Sequence, residues 1–272
     1  MVFAILLLSA PLKEVIWGGN YFKDVLNVTT SDEKIGEMWS CSAHKNGQSI
    51  IKNGCFKGKT LEYVYKNHKE LFDNSSLDEF PILVKLIATT DKLSVQVHPN
   101  DEYALKYENQ YGKTEGWLIL DENENSEIVI GHNAKNKEEL IEYINNDDYD
   151  GLLRKKVVKT GEFYPIPSGT IHALGANIVL LEIQQSSDVT YRFYDYHRKD
   201  AMGNERPLHI NKAVEVTARA YFIVGGEKVF LKATTRSLES AVTDYLSGLV
   251  ELTEAQEEAV AALAAYLGIG NN

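Results

Sequence analysis

Three short stretches of this chain carry side chains suited to holding a metal ion. Leu93-Ser-Val-Gln-Val-His98 alternates with period two, so a strand there puts Gln96 and His98 on one face. Glu115 stands in Gly112-Lys-Thr-Glu-Gly-Trp117, where a glycine-flanked turn leads into a strand. His172 follows Pro167-Ser-Gly-Thr-Ile171, and a turn fixed by Pro167 and Gly169 can aim it into a sheet interior. Imidazole and carboxylate are ordinary ligands of zinc-type ions. Glutamine is a rare one, and residue chemistry alone leaves Gln96 unexplained. A single strand histidine is usually just a satisfied polar side chain; three such segments in one chain favour a metal site.

The elements that must position these residues are mostly strands. Residues 1–60 read as short strands with Gly-rich turns, two of them Asn-Gly, the strongest short hairpin signal. The apolar start at 3–11 resembles a signal-peptide core but lacks a basic flank, and it reads as a buried first strand. Residues 61–72 have helical spacing. Strands are expected at 80–87, 92–98, 116–120 and 126–131, with a short helix at 101–107 and an acidic surface helix at 136–144. Residues 157–193 read as strand, turn, strand, strand. His68 and His132 read as surface residues.

The bulk numbers narrow the function. The 272 residues are 44% hydrophobic and 25% charged, an ordinary globular composition. The formal net charge of −11 argues against nucleic acid or an anionic membrane as the main partner. A phosphorylated small molecule needs only a local cluster of Lys and Arg and stays open. No apolar run reaches the length of a membrane span. Two cysteines, Cys41 and Cys55, are too few for a disulfide framework and read as reduced thiols of a cytoplasmic protein.

Gly161, Pro167, Gly169 and His172 also follow the spacing of the cupin pattern, a jelly-roll β-barrel. The asparagine expected after the histidine comes one place late, at Asn177. More of the text then fits one family. Ile16-Trp-Gly-Gly19, Ile35-Gly-Glu-Met-Trp39, Phe80-Pro-Ile-Leu-Val-Lys85, Ser94-Val-Gln-Val-His-Pro-Asn-Asp101, Gly112-Lys-Thr-Glu115, Pro167-Ser-Gly-Thr-Ile-His172, the run from Leu181 to Arg192, and Leu208-His-Ile-Asn-Lys-Ala213 resemble the short bacterial type I mannose-6-phosphate isomerases. The resemblance covers about residues 5–217. It implies a mainly β, cupin-type core with inserted helices. It implies one zinc ion on Gln96, His98, Glu115 and His172, and so accounts for the glutamine. It also implies active-site roles for Arg192, Lys113 and Glu182, with Lys85, Ser94 and His44 as substrate contacts. The reaction implied is aldose–ketose isomerisation of a hexose phosphate through an enediol.

The residues leave the proton-transfer base open between Glu182, a metal-polarised water and a histidine. Arg192 alternatively reads as an ion-pair partner of Asp188 or Asp195, and Lys85 as a barrel-rim side chain. Two other functions remain: a sugar-phosphate-binding cupin without turnover, and an iron cupin oxygenase, against which Gln96, Lys113 and Arg192 argue. Oligomeric state is not readable. The character of the chain changes near 218, where Ala becomes frequent. This reading expects a catalytic domain at 1–217. At 218–272 it expects an atypical segment in place of the family's second cupin half, with a strand or hairpin at 221–232 and a helix opened by Thr253-Glu-Ala-Gln256.

Overall fold

The computed structural model describes residues 5–199 and 202–217. The expected hairpin and helix after 218 lie outside the described residues. Eleven strands form: β1 Leu12–Gly19, β2 Ile35–Ser42, β3 Ile82–Ala88, β4 Val95–Val97, β5 Glu115–Glu122, β6 Glu127–His132, β7 Leu153–Val157, β8 Phe163–Ile166, β9 His172–Leu174, β10 Ile178–Gln185 and β11 Tyr191–Tyr194. They build two antiparallel sheets, one ordered β1-β2-β3-β10-β5-β8 and the other β11-β4-β9-β6-β7. The mainly β expectation is met.

Alternation along the strands sorts the side chains. On β4, Val95 and Val97 point outward into a cluster with Tyr191, Phe193, Leu140, Leu152 and Val214. Gln96 between them faces inward. On β3 and β10, Val84 and Ile183 pack outward with Cys41 and Leu61, which turns Lys85 and Glu182 inward. The interior between the sheets has two zones. One is an apolar plug of Ile87, Trp117, Ile119, Ile128, Ile166, Leu174 and Leu180. The other is charged and is described below.

The strand-turn-strand at 161–174 is not a hairpin. β8 and β9 belong to different sheets, and the turn between them carries the chain across the barrel. Thr170 N–H donates to Pro167 O at 3.1 Å, and Gly169 takes φ +85°, as the third residue of a type II turn requires. Gly169 N–H also donates to the carbonyl of His98 at 2.8 Å. The crossing turn is thus fastened to the backbone of a candidate ligand. The late Asn177 adopts φ 59°, a region asparagine tolerates, and its N–H donates to Thr89 O.

Three expectations change. Among residues 5–11 only Leu8 makes a β-bridge, to Ile51, and Ile5 and Leu7 are exposed. The first strand begins instead at Leu12, because the earlier residues run beside 50–52 and have one open side. The helix at 61–72 breaks at His68 into an α-helix, Leu61–Asn67, and a 3₁₀ turn, Lys69–Phe72. His132 is buried, not at the surface: it ends β6 opposite Leu153, under the second sheet's outer layer.

Gly112 sits where the loop after the helix Asp101–Tyr107 returns to β5. A Cβ there would lie 2.4 Å from Asn100 C and 2.7 Å from Pro99 O, both backbone atoms. Gly112→Ala is expected to destabilise the fold by about 1–3 kcal/mol, read as a lower denaturation midpoint at unchanged slope.

Candidate metal centre

The two sheets present polar side chains to each other. In the second sheet, Arg192 pairs with Gln96 and Gln96 with His172, so these three share the inner face as a row across β11, β4 and β9. In the first, Trp39 pairs with Lys85, Lys85 with Glu182, and Glu182 with Trp117. Glu115, two residues before Trp117, shares that face. His172 and Glu182 therefore meet from opposite sheets. Trp117 spans the gap: its Nε1–H donates to Glu182 Oε2 at 3.0 Å, and its ring lies edge-on to His172 at 5.4 Å.

His98, Glu115 and His172 converge at the centre and are all buried. Their ligand atoms lie within 4.8 Å of one another. His172 Nε2 is 3.4 Å from Glu115 Oε1, and His98 Nε2 is 3.5 Å from Glu115 Oε2. The two Nε2 atoms are 3.2 Å apart. Each ring is oriented from behind: His98 Nδ1 lies 2.9 Å from Val189 O, and His172 Nδ1 2.8 Å from Thr170 O. A carbonyl only accepts, so both Nδ1 atoms carry the proton and both Nε2 atoms present lone pairs. Burial pushes the His98 pKa far down and that of His172 to about 4, which keeps both rings neutral. Two lone pairs and a carboxylate facing one point repel unless a cation joins them. Both Glu115 oxygens are buried without a well-aligned hydrogen bond. Gln96 completes the rim, its Nε2 3.4 Å from His172 Nε2, and a half-turn of the amide offers Oε1 there instead. Two imidazoles, a carboxylate and an amide oxygen suit a zinc-type ion, and imidazoles backed by carbonyls are the usual outer support of metal ligands.

Lys113, Lys85 and Glu182 border this cluster. Lys113 Nζ lies 2.9 Å from Glu115 Oε2 and 3.2 Å from His98 Nε2. Lys85 Nζ lies 2.9 Å from Glu182 Oε1 and 3.7 Å from Glu37 Oε2. Burial and the nearby Glu182 raise the Glu115 pKa. Burial acts the same way on Glu182, but Lys85 and Lys113 outweigh it and hold Glu182 well below the carboxylate range. Lys85, though buried, is kept charged by Glu182 and Glu37.

Three expected residues stand further out. His44 is buried with its Nε2 3.8 Å from Asp188 Oδ1 and its ring edge-on to Trp39. Ser94 is buried just before β4. Arg192 lies one strand beyond Gln96, and it pairs with neither Asp188 nor Asp195: its Nη1–H donates to Pro207 O at 2.8 Å. A cleft of about 500 Å³ opens beyond β11, lined by Gln110, Asp188, Val189, Tyr191, His209 and Lys212. One lining residue, Val189, orients His98 through its carbonyl. Sequence reasoning missed Glu37, Trp39 and Trp117 as part of the site. Trp39 Nε1–H donates to Glu37 Oε2 at 2.7 Å, beside Lys85. Their signal was the i, i+2 spacing of Glu37 with Trp39 and of Glu115 with Trp117 on strands.

Comparison with known proteins gives the family. Residues 5–137 match the family described as phosphomannose isomerase type I, catalytic domain. The mannose-6-phosphate isomerase of Streptococcus mutans is 48% identical over 211 residues, 78% of this chain and 67% of that one. The chain belongs to the type I phosphomannose isomerases. Members of this family are aldose–ketose isomerases. The mannose-6-phosphate isomerase ManA of Bacillus subtilis is 50% identical over 205 residues, 75% of this chain and 65% of that protein. The crystal structure of mannose 6-phosphate isomerase from Bacillus subtilis aligns with a TM-score of 0.76 at 43% identity, covering 83% of this chain and 73% of that one. The chain thus spans about two thirds of the length of these curated relatives.

The Lys85–Glu182 pair generates a stability test. Glu182→Leu leaves a buried ammonium with only the more distant Glu37, an expected loss of about 3 kcal/mol or more. Adding Lys85→Met removes the stranded charge and should recover most of it. A double variant as unstable as Glu182→Leu alone would contradict this.

Proposed function

We propose that this chain interconverts mannose 6-phosphate and fructose 6-phosphate, with one zinc ion held by Gln96, His98, Glu115 and His172. The observation that carries the reading is the meeting of two imidazole lone pairs and a buried carboxylate at one point, each imidazole locked by a backbone carbonyl. When bound, zinc supplies Lewis-acid polarisation of a substrate oxygen.

The chain's own residues account for the rest of the chemistry. Isomerisation removes a proton from the carbon beside the carbonyl and returns one to its neighbour, with negative charge building on oxygen in between. Lys113 and Lys85 place ammonium groups in a dry interior, where such charge is stabilised most. Glu182 stays ionised beside Lys85. Its depressed basicity suits a group that sets the charge of Lys85 better than one that shuttles the proton. A neutral imidazole is the better proton acceptor, and His44, kept neutral mainly by burial, lies at the rim beside Asp188. Arg192, always charged, holds the phosphate or the enediolate from the next strand. Ser94 and His44 line the approach.

Residues 1–217 form the catalytic domain in this proposal, and 218–272 a separate segment. A cytoplasmic setting accords with two free thiols, Cys41 and Cys55. Among the described residues no helix is long and apolar enough to cross a membrane.

The test is a coupled assay of fructose 6-phosphate formation, before and after chelation and again with zinc restored. Chelation is expected to lower turnover by on the order of 100-fold or more, and zinc to restore it. His172→Ala should lose bound metal and activity together. A metal-free His172→Ala protein with full activity would sink the metal assignment. No turnover by folded, zinc-loaded protein would leave a sugar-phosphate-binding protein in place of an isomerase.

A further inference from the structure

Arg192 is gripped from outside the sheets. Its backbone N–H donates to His209 Nδ1 at 3.0 Å, and His209 N–H donates back to Arg192 O at 2.8 Å. Its side chain reaches Pro207 O at 2.8 Å. Residues 207–209 therefore set both the backbone and the guanidinium of this arginine, whose Nε is buried without a hydrogen-bond partner of its own.

The residue just before 207–209 is fastened to a buried carboxylate. Asp195 directly follows β11 and is 4% exposed. Arg206, next to Pro207, forks onto it with Nε 2.7 Å from Oδ2 and Nη2 2.7 Å from Oδ1. Arg198 donates to the same Oδ1 from Nε at 3.1 Å and from Nη2. Arg198 also donates to Lys92 O at 2.6 Å and lies 3.5 Å from Asp91 Oδ2. One buried side chain thus ties together the end of β11, the loop before β4 and the return segment. A planar fork meeting a carboxylate at two points fixes direction as well as distance, which a lysine does not. Burial alone would raise the Asp195 pKa, but Arg206 and Arg198 together hold it below its ordinary value, so the group is ionised at neutral pH. Asp195, Arg198 and Arg206 all act electrostatically on Arg192. Without the carboxylate, Arg206 would lose its fork and three guanidinium groups would share one corner without the charge that offsets them.

We propose that Asp195 is a positioning residue for Arg192, fixing the guanidinium at the substrate through Arg206 and the 207–209 segment. The proposal rests on the reading of Arg192 as a substrate-holding residue. Asp195 touches neither the ligand cluster nor Lys85 and Glu182, and the route from it to Arg192 runs through Arg206 and Pro207.

A double-mutant cycle tests this on the full chain, with kcat/KM for mannose 6-phosphate measured on metal-loaded protein of checked metal content. Asp195→Asn is expected to lower kcat/KM on the order of tenfold or more, with metal content unchanged. In an Arg192→Ala background the same substitution should change it less than about twofold, because the residue it positions is gone. Equal losses in both backgrounds would overturn the proposal and leave Arg192 at the site. No loss from Arg192→Ala alone would overturn the reading of Arg192, and the proposal with it. Should Asp195→Asn fail to fold, Arg206→Lys keeps the charge, removes the fork and enters the same cycle with the same expected outcomes.

Discussion

Charge without water is the condition that the barrel has to satisfy. Glu115, Glu182, Lys85 and Lys113 are all buried, and taking each such ion from water costs several kcal/mol. They persist because each finds opposite charge within about hydrogen-bond reach: Lys85 with Glu182, Lys113 with Glu115. The pairing is not symmetric. Both lysines favour the charge on each carboxylate, but at Glu115 burial and the neighbouring Glu182 outweigh them, and Glu115 also faces two imidazole lone pairs. Apolar packing bears the cost. The plug around Trp117, Ile119 and Leu180 fills the other end of the barrel, and each fully buried side chain of this kind contributes about 1.5–3 kcal/mol.

The two-sheet architecture turns this balance into geometry. Three strands that lend a polar residue to the interior bury apolar neighbours on the outer face: Val95 and Val97 around Gln96, Val84 beside Lys85, Ile183 beside Glu182. A one-residue slip in any of these ladders would turn a charge into the outer apolar layers. The continuous pairing of β10 with β3, from Val179 with Ala88 to Gln185 with Ile82, fixes that register over its whole length. Backbone carbonyls do the rest. Val189 and Thr170 aim the histidines, and Pro207 aims Arg192.

Much of this was legible from residue order. Period-two alternation puts Gln96 and His98 on one face, and the Pro-x-Gly turn delivers His172, because both are local rules of backbone geometry. The mainly β fold and the helix at 101–107 follow from the same kind of signal. What stayed hidden depends on sheet membership. Nothing in 161–174 distinguishes a hairpin from a crossing between sheets. The apolar run at 3–11 looks like a core strand because composition does not show whether a partner covers its second side. The Asp195–Arg206 fork joins residues on either side of a loop, with no periodicity to announce it.

The proposed ligand set also has a bearing on how the chain reaches its native state. Gln96 and His98 come from one sheet, Glu115 from the other, and His172 from beyond the turn that crosses between them. The strand that seals the first sheet, β10, pairs residues 178–185 with residues 82–88, far apart along the chain. Non-local pairing of this kind forms late and slowly. No short segment holds enough ligands to capture a metal ion beforehand, unlike small domains in which the ion and the fold arrive together. The four side chains of the proposed site come together only when both sheets are in place.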